Sequence, residues 1–368
     1  MAPVQEVDFK LGDVPFDVPD LAIVQASSTP STVSGVTFFA VPTNGNTGTF
    51  VGVDSSGEVV WHYETEGRGS GNPIIRYVGN GELMVTTRDG FERVSLSGET
   101  LGSMNLSAVP ELHHDVVLLP NGGAMALSRE TQRVNGQLLT GDVIVELTAS
   151  GEIVWEWSTF DHLDTTRFPS ELSLSTGRGG GGELDWTHGN AVAYFPESNS
   201  VLLSLRSQSW VVHIDRATGE IIWIAGDSTG TAPGFTAPFL QLASGTWQTA
   251  QHAATFAANG ELVIYDNRND SGGETNNSRA VAYSIDGNTG VATESWSFIA
   301  PKFTESFGDV DPLDNGNVLV NAGGRGSSAD AHIIEVGPSG ETVWALTVAG
   351  TALYRAERVS WTEIASSL

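Results

Sequence analysis

The chain has 368 residues, and its 44 acidic against 17 basic side chains give a formal charge of −27. That excess argues against nucleic acid and anionic membranes, both polyanions that recruit Lys and Arg, and the absence of cysteine excludes disulfides, thiolate metal sites and cysteine nucleophiles. No run of eighteen apolar residues occurs, so no membrane insertion is expected, and the length allows one large repetitive domain or two ordinary ones.

The first twenty residues, MAPVQEVDFKLGDVPFDVPD, lack the basic and then apolar layout of a signal peptide. Residues 1–35 read as a polar, Pro-bearing lead-in. Beyond them, 43 glycines and many short apolar runs give an all-β pattern, and a search for self-similarity finds a repeat. A turn followed by an apolar strand recurs as DSSGEVVW ending at Trp61, SLSGETL at Leu101, TASGEIVW at Trp155, RATGEIIW at Trp223, DGNTGVATESW at Trp296 and GPSGETVW at Trp344. Between the copies lie apolar strands running into Asn44-Gly45, Asn80-Gly81, Asn121-Gly122, a looser PESNS around Asn199, Asn259-Gly260 and Asn315-Gly316. Asn-Gly between alternating strands signals a hairpin whose two turn residues take positive φ.

The two elements alternate strictly, so each unit reads as strand, Asn-Gly turn, two strands, Ser-Gly-Glu turn and strand with Trp. Six such units of four antiparallel strands describe a six-bladed β-propeller over 36–368. The blades fall near 36–64, 72–104, 113–158, 187–226, 251–298 and 306–348, and TALYRAERVSW is expected to pack across the closure. A Trp at one register in most blades is expected to pack between blades. Similar Gly-Trp turns occur in quinone-dependent dehydrogenases, but those are larger, with eight blades, and nothing here supports a quinone site.

The residues facing the central channel carry the chemistry. Counting back seven positions from the Asn-Gly turn gives His114 in LHHDVVLLPNG and His252 in AQHAATFAANG, and His188 of DWTHGNAVAYFP opens the same strand of blade four. Innermost strands of three adjacent blades would aim three imidazoles at one point. His113 alternates to the other face and is expected to pack or support its neighbour, and His62, His162, His213 and His332 share no such register. An arginine recurs near the end of the second strand as Arg88, Arg129, Arg206, Arg268 and Arg325. Arg206 follows His188 within one hairpin, and a guanidinium beside imidazoles suits an oxyanion, because its fork of donors matches sulfate, phosphate or carboxylate oxygens. Three histidines could equally hold zinc, but a fixed cation beside a divalent metal is repelled; no metal and no cofactor are expected. No Gly-x-Ser-x-Gly elbow is present.

HHDVVLLPNG, DWTHGNAV, SLRSQSWVVHIDRATGEIIWIAG, QHAATFAANGELVIYDN and YRAERV together resemble the bacterial arylsulfotransferase family, whose members use no nucleotide sulfate donor, and the resemblance spans roughly residues 36–360. It implies a six-bladed propeller and sulfuryl transfer from an aryl sulfate ester to a phenolic acceptor. By that resemblance His252, after Gln in the QH motif, is the nucleophile that is transiently sulfated. His188 and Arg206 bind and polarise the sulfuryl oxygens, His114 completes the oxyanion ring, and Asn190 and Gln251 are supporting donors. The chemistry is coherent: a loose transition state is stabilised by positioning and electrostatics, and a neutral imidazole is a competent nucleophile that splits the transfer into two ping-pong steps. A neighbouring histidine would exchange a proton with the departing and incoming phenol. Trp186, Trp210, Tyr265 and Phe307 are candidates to sandwich aryl rings or, as aromatic residues in a propeller, to pack.

Three features depart from the family pattern. Ala253 follows His252 where Asp is common, no N-terminal β-sandwich domain precedes the propeller, and the cysteine pair of enterobacterial members is missing. The chain therefore reads as a distant branch. Two other readings stay open at this stage: a hydrolase or lyase using the same His/Arg ring on another anionic substrate, and a non-catalytic propeller binding anions or proteins. Related enzymes are commonly exported, so a periplasmic or secreted location is expected, with the cytoplasm left open; the sequence does not give the oligomeric state.

Overall fold

Short strands, many buried along their whole length and some outer ones alternating in burial, are punctuated by left-handed glycines and fold into six four-stranded antiparallel blades. The computed structural model describes residues 21–23, 35–41, 48–65, 71–168, 183–268, 277–326 and 330–366. From the inside outward, blade two is Ile75–Gly79, Glu82–Thr87, Gly90–Ser95 and Thr100–Asn105. Blade three is His113–Leu118, Ala124–Val134, Gln137–Leu147 and Ile153–Ser158. Blade four is Gly189–Phe195, Ser200–Leu205, Trp210–Asp215 and Ile221–Ala225. Blade five is His252–Phe256, Leu262–Asp266, Arg279–Asp286 and Val291–Ile299, and blade six is Asp309–Pro312, Val318–Ala322, Ala331–Val336 and Thr342–Val348. The first strands of neighbouring blades touch one another around the axis and line the channel.

Blade one closes the ring. Its outer three strands, Gly35–Val41, Thr49–Val53 and Val59–Glu64, come from the N-terminal part, whereas its innermost strand is Ala356–Ser360 from the YRAERV region. The closure expected of that segment is thus a strand pairing, with Phe38 opposite Glu357 and Val36 opposite Val359. One consequence corrects the repeat alignment. Asn44-Gly45 lies outside the described residues, but the strands flanking it are the second and third of blade one, so it does not correspond to the other Asn-Gly turns. The lead-in likewise contributes structure: Leu21–Ile23 pairs antiparallel with Leu346–Val348 as a fifth strand on the outer edge of blade six.

The Ser-Gly-Glu turn is the most regular device. Its glycine is left-handed in all six blades, at Gly57, Gly98, Gly151, Gly219, Gly290 and Gly340. A bulge follows in every blade, between the third and outer strands. A Cβ-bearing residue in that conformation costs about 1–2 kcal/mol, which accounts for the repeat's fixed glycine. The Asn-Gly turns behave otherwise than expected. Among the described Asn-Gly turns both residues have positive φ only at Asn80-Gly81; at the turns of blades three, five and six only the glycine does. There Asn121, Asn259 and Asn315 use the side-chain oxygen to accept the backbone N–H two residues on. Asparagine is selected for that hydrogen bond, not for a left-handed backbone.

The repeated tryptophans pack between blades. The indole of Trp344 is fully buried and donates to the Ser55 carbonyl of blade one at 2.9 Å. Trp223 meets Phe256 of blade five, and Arg216 of blade four lies over Trp155. Helix is confined, among the described residues, to Thr159–His162 and Trp361–Ser366, and no helix is long and apolar enough to cross a membrane.

Candidate active site

Three innermost strands begin with a distortion. In blade three the register slips after Val116 pairs with Ala126, and His114 adopts φ 53°. In blade four Asn190 is the extra residue between two ladder pairs and His188, just before the strand, has φ 51°. In blade five the extra residue is Ala253, at φ 46°. A bulge re-aims a side chain that regular pleating would send to alternate faces. Here it turns His114, His188 and His252 toward one region of the channel mouth. The His114 and His188 rings lie 5.0 Å apart, and His252 is within electrostatic reach of both. Arg206 joins them because its backbone N–H donates to the His188 carbonyl at 3.1 Å, across the hairpin of blade four.

Each imidazole has a different partner at Nδ1. His252 is buried, and its Nδ1 lies 2.7 Å from Asn267 Oδ1. The Asn267 amide is fixed, because its Nδ2 donates to the carbonyls of Thr304 and Phe307, each at 2.9 Å. Its oxygen must therefore accept, so His252 carries its proton on Nδ1 and exposes a lone pair at Nε2. Burial and the nearby Arg206 hold the His252 imidazole well below its usual titration range, against the opposing Asn267 bond, so it is neutral at pH 7. His188 Nδ1 sits 2.5 Å from Asp185 Oδ2, a carboxylate that fixes its tautomer. His114 Nδ1 meets His113 Nδ1 at 2.8 Å, and burial, followed by electrostatic interaction with His113, His188 and Arg129, depresses its protonation too.

Arg206 supplies the fixed positive charge. Its Nη2 reaches the Glu305 carbonyl at 3.4 Å, while its Nε is buried with no hydrogen-bond partner among the described residues. Burial lowers its pKa, opposed by Glu305 and Asp185, and an unpaired guanidinium N–H beside neutral imidazoles is a donor awaiting an anion. Among the described residues no group of three or more His, Asp or Glu is arranged to hold a metal ion.

Compared with protein families, residues 22–355 match the model of the arylsulfotransferases. The chain belongs to the arylsulfotransferase family. The family match supports aryl sulfotransfer as its general activity. A search of curated proteins finds no match. Among solved structures, a protein of unknown function from Bacteroides caccae aligns with 89% of this chain and 99% of its own, at 15% identity and a TM-score of 0.51, which shows a shared fold. A periplasmic gluconolactonase of Pseudomonas aeruginosa aligns at 11% identity, 89% and 99% coverage and TM-score 0.48. A streptogramin B lyase aligns at 13% identity, 89% and 96% coverage and TM-score 0.42.

The fold places the remaining candidates behind the ring. Asn190 and Gln251 are fully buried: Asn190 Nδ2 donates to the Gln251 carbonyl at 2.7 Å, and Gln251 Nε2 donates to Ser204 Oγ and to the carbonyls of Leu205 and Trp210. They bind blade five to blade four and so set the spacing of His252 from His188. Trp186 and Tyr265, offered as aryl-binding residues, are also fully buried; the Trp186 indole donates to the Arg167 carbonyl and the Tyr265 hydroxyl meets Thr304 Oγ1 at 2.9 Å. Packing claims both rings, and Trp210 likewise, with Arg167 over its face. Of the four aromatic candidates only Phe307 is part-exposed. It has φ 68° and stands edge-on to Tyr354 at 5.1 Å, and the Tyr354 ring centroid lies 6.3 Å from that of His114. In the arginine register, Arg129 acts on His114 and Arg88 lies in an exposed turn, while the Arg325 side chain is outside the described residues.

Five functional partners escaped the sequence reading: Asn267, Asp185, Asp142, Tyr354 and Arg355. Asn267 and Asp185 sit inside the quoted segments VIYDN and LDWTH, where a polar residue beside a histidine-bearing strand was the available signal. Arg355 of YRAERV is buried and donates to Asp115 Oδ2 at 2.9 Å and to the Asn190 carbonyl at 3.1 Å, joining the HHD motif to the DWTHGN motif at the axis.

Proposed function

We propose that this chain moves a sulfuryl group from an aryl sulfate ester to a phenolic acceptor by a ping-pong route through a sulfated His252. The observation that carries the reading is the Asn267 amide, whose fixed orientation leaves His252 neutral with its lone pair on Nε2. Nε2 attacks sulfur, the ester oxygen–sulfur bond breaks, and a phenolate departs. Arg206, His188 and His114 surround the peripheral oxygens, where charge is held in a loose transition state. A phenol then takes the group back from Nε2. Asn267, a neutral amide, holds the tautomer of His252, so Ala253, where family members commonly have Asp, is compatible with a competent nucleophile. Part-exposed Phe307 and the neighbouring Tyr354 offer an aromatic flank for the aryl ring.

The test is a p-nitrophenyl sulfate assay with and without phenol, together with an intact-mass spectrum after donor alone. Phenol-dependent nitrophenolate release and a single sulfuryl adduct, present on wild type and absent from His252→Ala, are expected. Release indifferent to phenol would make the protein a hydrolase; no release and no adduct would remove the transfer reading.

A further inference from the structure

His113, expected only to pack or support its neighbour, lies between two titratable groups. Its Nδ1 is 2.8 Å from His114 Nδ1, and its Nε2 is 3.1 Å from Asp142 Oδ1, an ion-pair contact whose N–H lies off the line of a hydrogen bond. Asp142 is buried in blade three, where its other oxygen accepts the Gly189 N–H at 2.6 Å and the Thr187 hydroxyl, both from the segment that presents His188. Burial alone would raise the Asp142 pKa, but His113, Thr187 and Gly189 hold it below the usual carboxylate range. It is thus an anion, and a lone pair on His113 Nε2 facing it would be repelled, so Nε2 carries a proton. In the neutral form that the relay requires, His113 Nδ1 is an acceptor and His114 Nδ1 must donate. His114 Nε2 is then bare. The site geometry favours this approach to backbone: a Cβ on Gly189 would lie 2.9 Å from the Asp142 carboxyl carbon.

We infer that Asp142 and His113 form a proton relay behind His114, which makes His114 Nε2 the base for the incoming phenol. The inference rests on the sulfuryl-transfer reading. In the acceptor step the phenol O–H bond breaks as a His114 Nε2–H bond forms. The phenol oxygen then bonds to sulfur while the His252 Nε2–sulfur bond breaks and its electron pair returns to Nε2. The imidazolium so formed passes charge toward Asp142 through His113, and later gives its proton to the phenolate leaving the next donor, so the cycle balances. Groups facing His114 from other elements are His188 ahead of blade four, Arg129 on the second strand of blade three, His252 of blade five and Tyr354 of the closing segment. The three cationic or imidazole neighbours oppose a positive charge on His114, and Asp142 is the anion that offsets them. His113 and Asp142 touch no substrate; they are positioning residues.

Asp142→Asn tests the relay because an amide N–H facing His113 Nε2 reverses every tautomer in the chain and leaves a proton on His114 Nε2. ¹⁵N NMR of histidine-labelled protein should show His114 protonated at Nδ1 in wild type and at Nε2 in the variant. In single-turnover assays with p-nitrophenyl sulfate the nitrophenolate burst should fall no more than about threefold, because nitrophenolate is a stabilised anion that departs without needing the proton of His114. Transfer to phenol should fall about a hundredfold, within the range of general-base contributions. Pentafluorophenol, already ionised at neutral pH, needs no base, so its transfer should be slowed far less than that of phenol. His113→Gln keeps an acceptor for His114 but cuts it off from the carboxylate, and should slow the phenol step about tenfold, in the range seen when a supporting partner is lost. Equal losses in both half-reactions, or with both acceptors, would reduce Asp142 to a structural residue and overturn the relay. A wild-type His114 protonated at Nε2 would overturn it whatever the reaction. A wild type without a sulfuryl adduct would overturn the transfer reading and with it the role of His114 as the phenol's base, while the NMR result separately decides the tautomer chain.

Discussion

The two halves of the central channel solve the same geometric problem in opposite ways. Blades three, four and five open their inner strands with a bulge and a left-handed residue, and the result is a set of neighbouring imidazoles, two of which, His114 and His252, have depressed pKa values. Blades six and one keep their inner strands regular, with Asp309 and Asp311 on Asp309–Pro312 and Glu357 on Ala356–Ser360. These acids take up protons more readily than ordinary carboxyls: burial pushes Asp309 up to about 6, and burial with the charge of Asp309 pushes Asp311 up to about 7. Burial and Asp311 raise Glu357 well above the carboxylate range. Regular pleating stacks like charges along the axis, and protons relieve the repulsion. Bulges instead let unlike partners reach each ring, so an amide, a carboxylate and a histidine each assign a tautomer. The lesson is that backbone irregularity, more than residue choice, separates the histidine half from the acidic one.

The largest effect should come from breaking the histidine half at its amide. Asn267→Ala removes the acceptor of His252 Nδ1–H and the two carbonyl contacts that fix the loop at Phe307. Adduct formation from p-nitrophenyl sulfate should slow by about 10²-fold, near the upper end for loss of a supporting partner. A rate within twofold of wild type would mean that His252 needs no orientation. Next, Gly189→Ala forces a methyl against the Asp142 carboxylate and should cost about 1–3 kcal/mol, the usual range for overpacking, read as a lower thermal midpoint.

The acid half gives a stabilisation of the opposite sense. Asp311 has a folded pKa of about 7, above the ordinary carboxylate value, so the fold binds more protons than the unfolded chain between about pH 4 and 7. Stability from this group is complete at low pH and is lost as pH rises through 7. Asp311→Asn should therefore raise the melting temperature at pH 8 by about 2–4 °C and leave it unchanged at pH 4. The imidazoles run the other way. His252 and His114 have depressed pKa values, so the unfolded chain takes up protons first, and stability falls as pH drops below about 6.5. The sulfation rate should likewise stay level from pH 8 to 6.5 and decline only in stronger acid; a decline centred at 6.5 would show an ordinary, solvated imidazole. The smallest change separates packing from substrate contact. Tyr265→Phe loses the Thr304 hydrogen bond and about 1 kcal/mol of stability, with KM for aryl sulfates unchanged.

Much of this was legible along the chain. The Ser-Gly-Glu turns are local, set by a glycine that must be left-handed, so six copies could be counted even where SLSGETL and DGNTGVATESW had drifted. The histidine register was legible for the same reason, since a repeat converts position in sequence into position around an axis. The Asn-Gly count was misleading at blade one, because that blade borrows its inner strand from residues 356–360 and the turn shifts one strand outward. The aromatic candidates were ambiguous: burial decides whether Trp186 and Tyr265 can meet a ligand, and composition carries no burial.

The sequence by itself determined the six-blade count, the family motifs and which three histidines share a register, because turns and periodicity depend on neighbours a few residues apart. Only the tertiary structure decided what stands behind each ring. Asn267 reaches His252 from 15 positions away, Asp142 reaches His113 across blade three, and Arg355 reaches Asp115 from 240 positions away. Proton positions depend on those contacts, and contacts between distant residues exist only once the ring has closed.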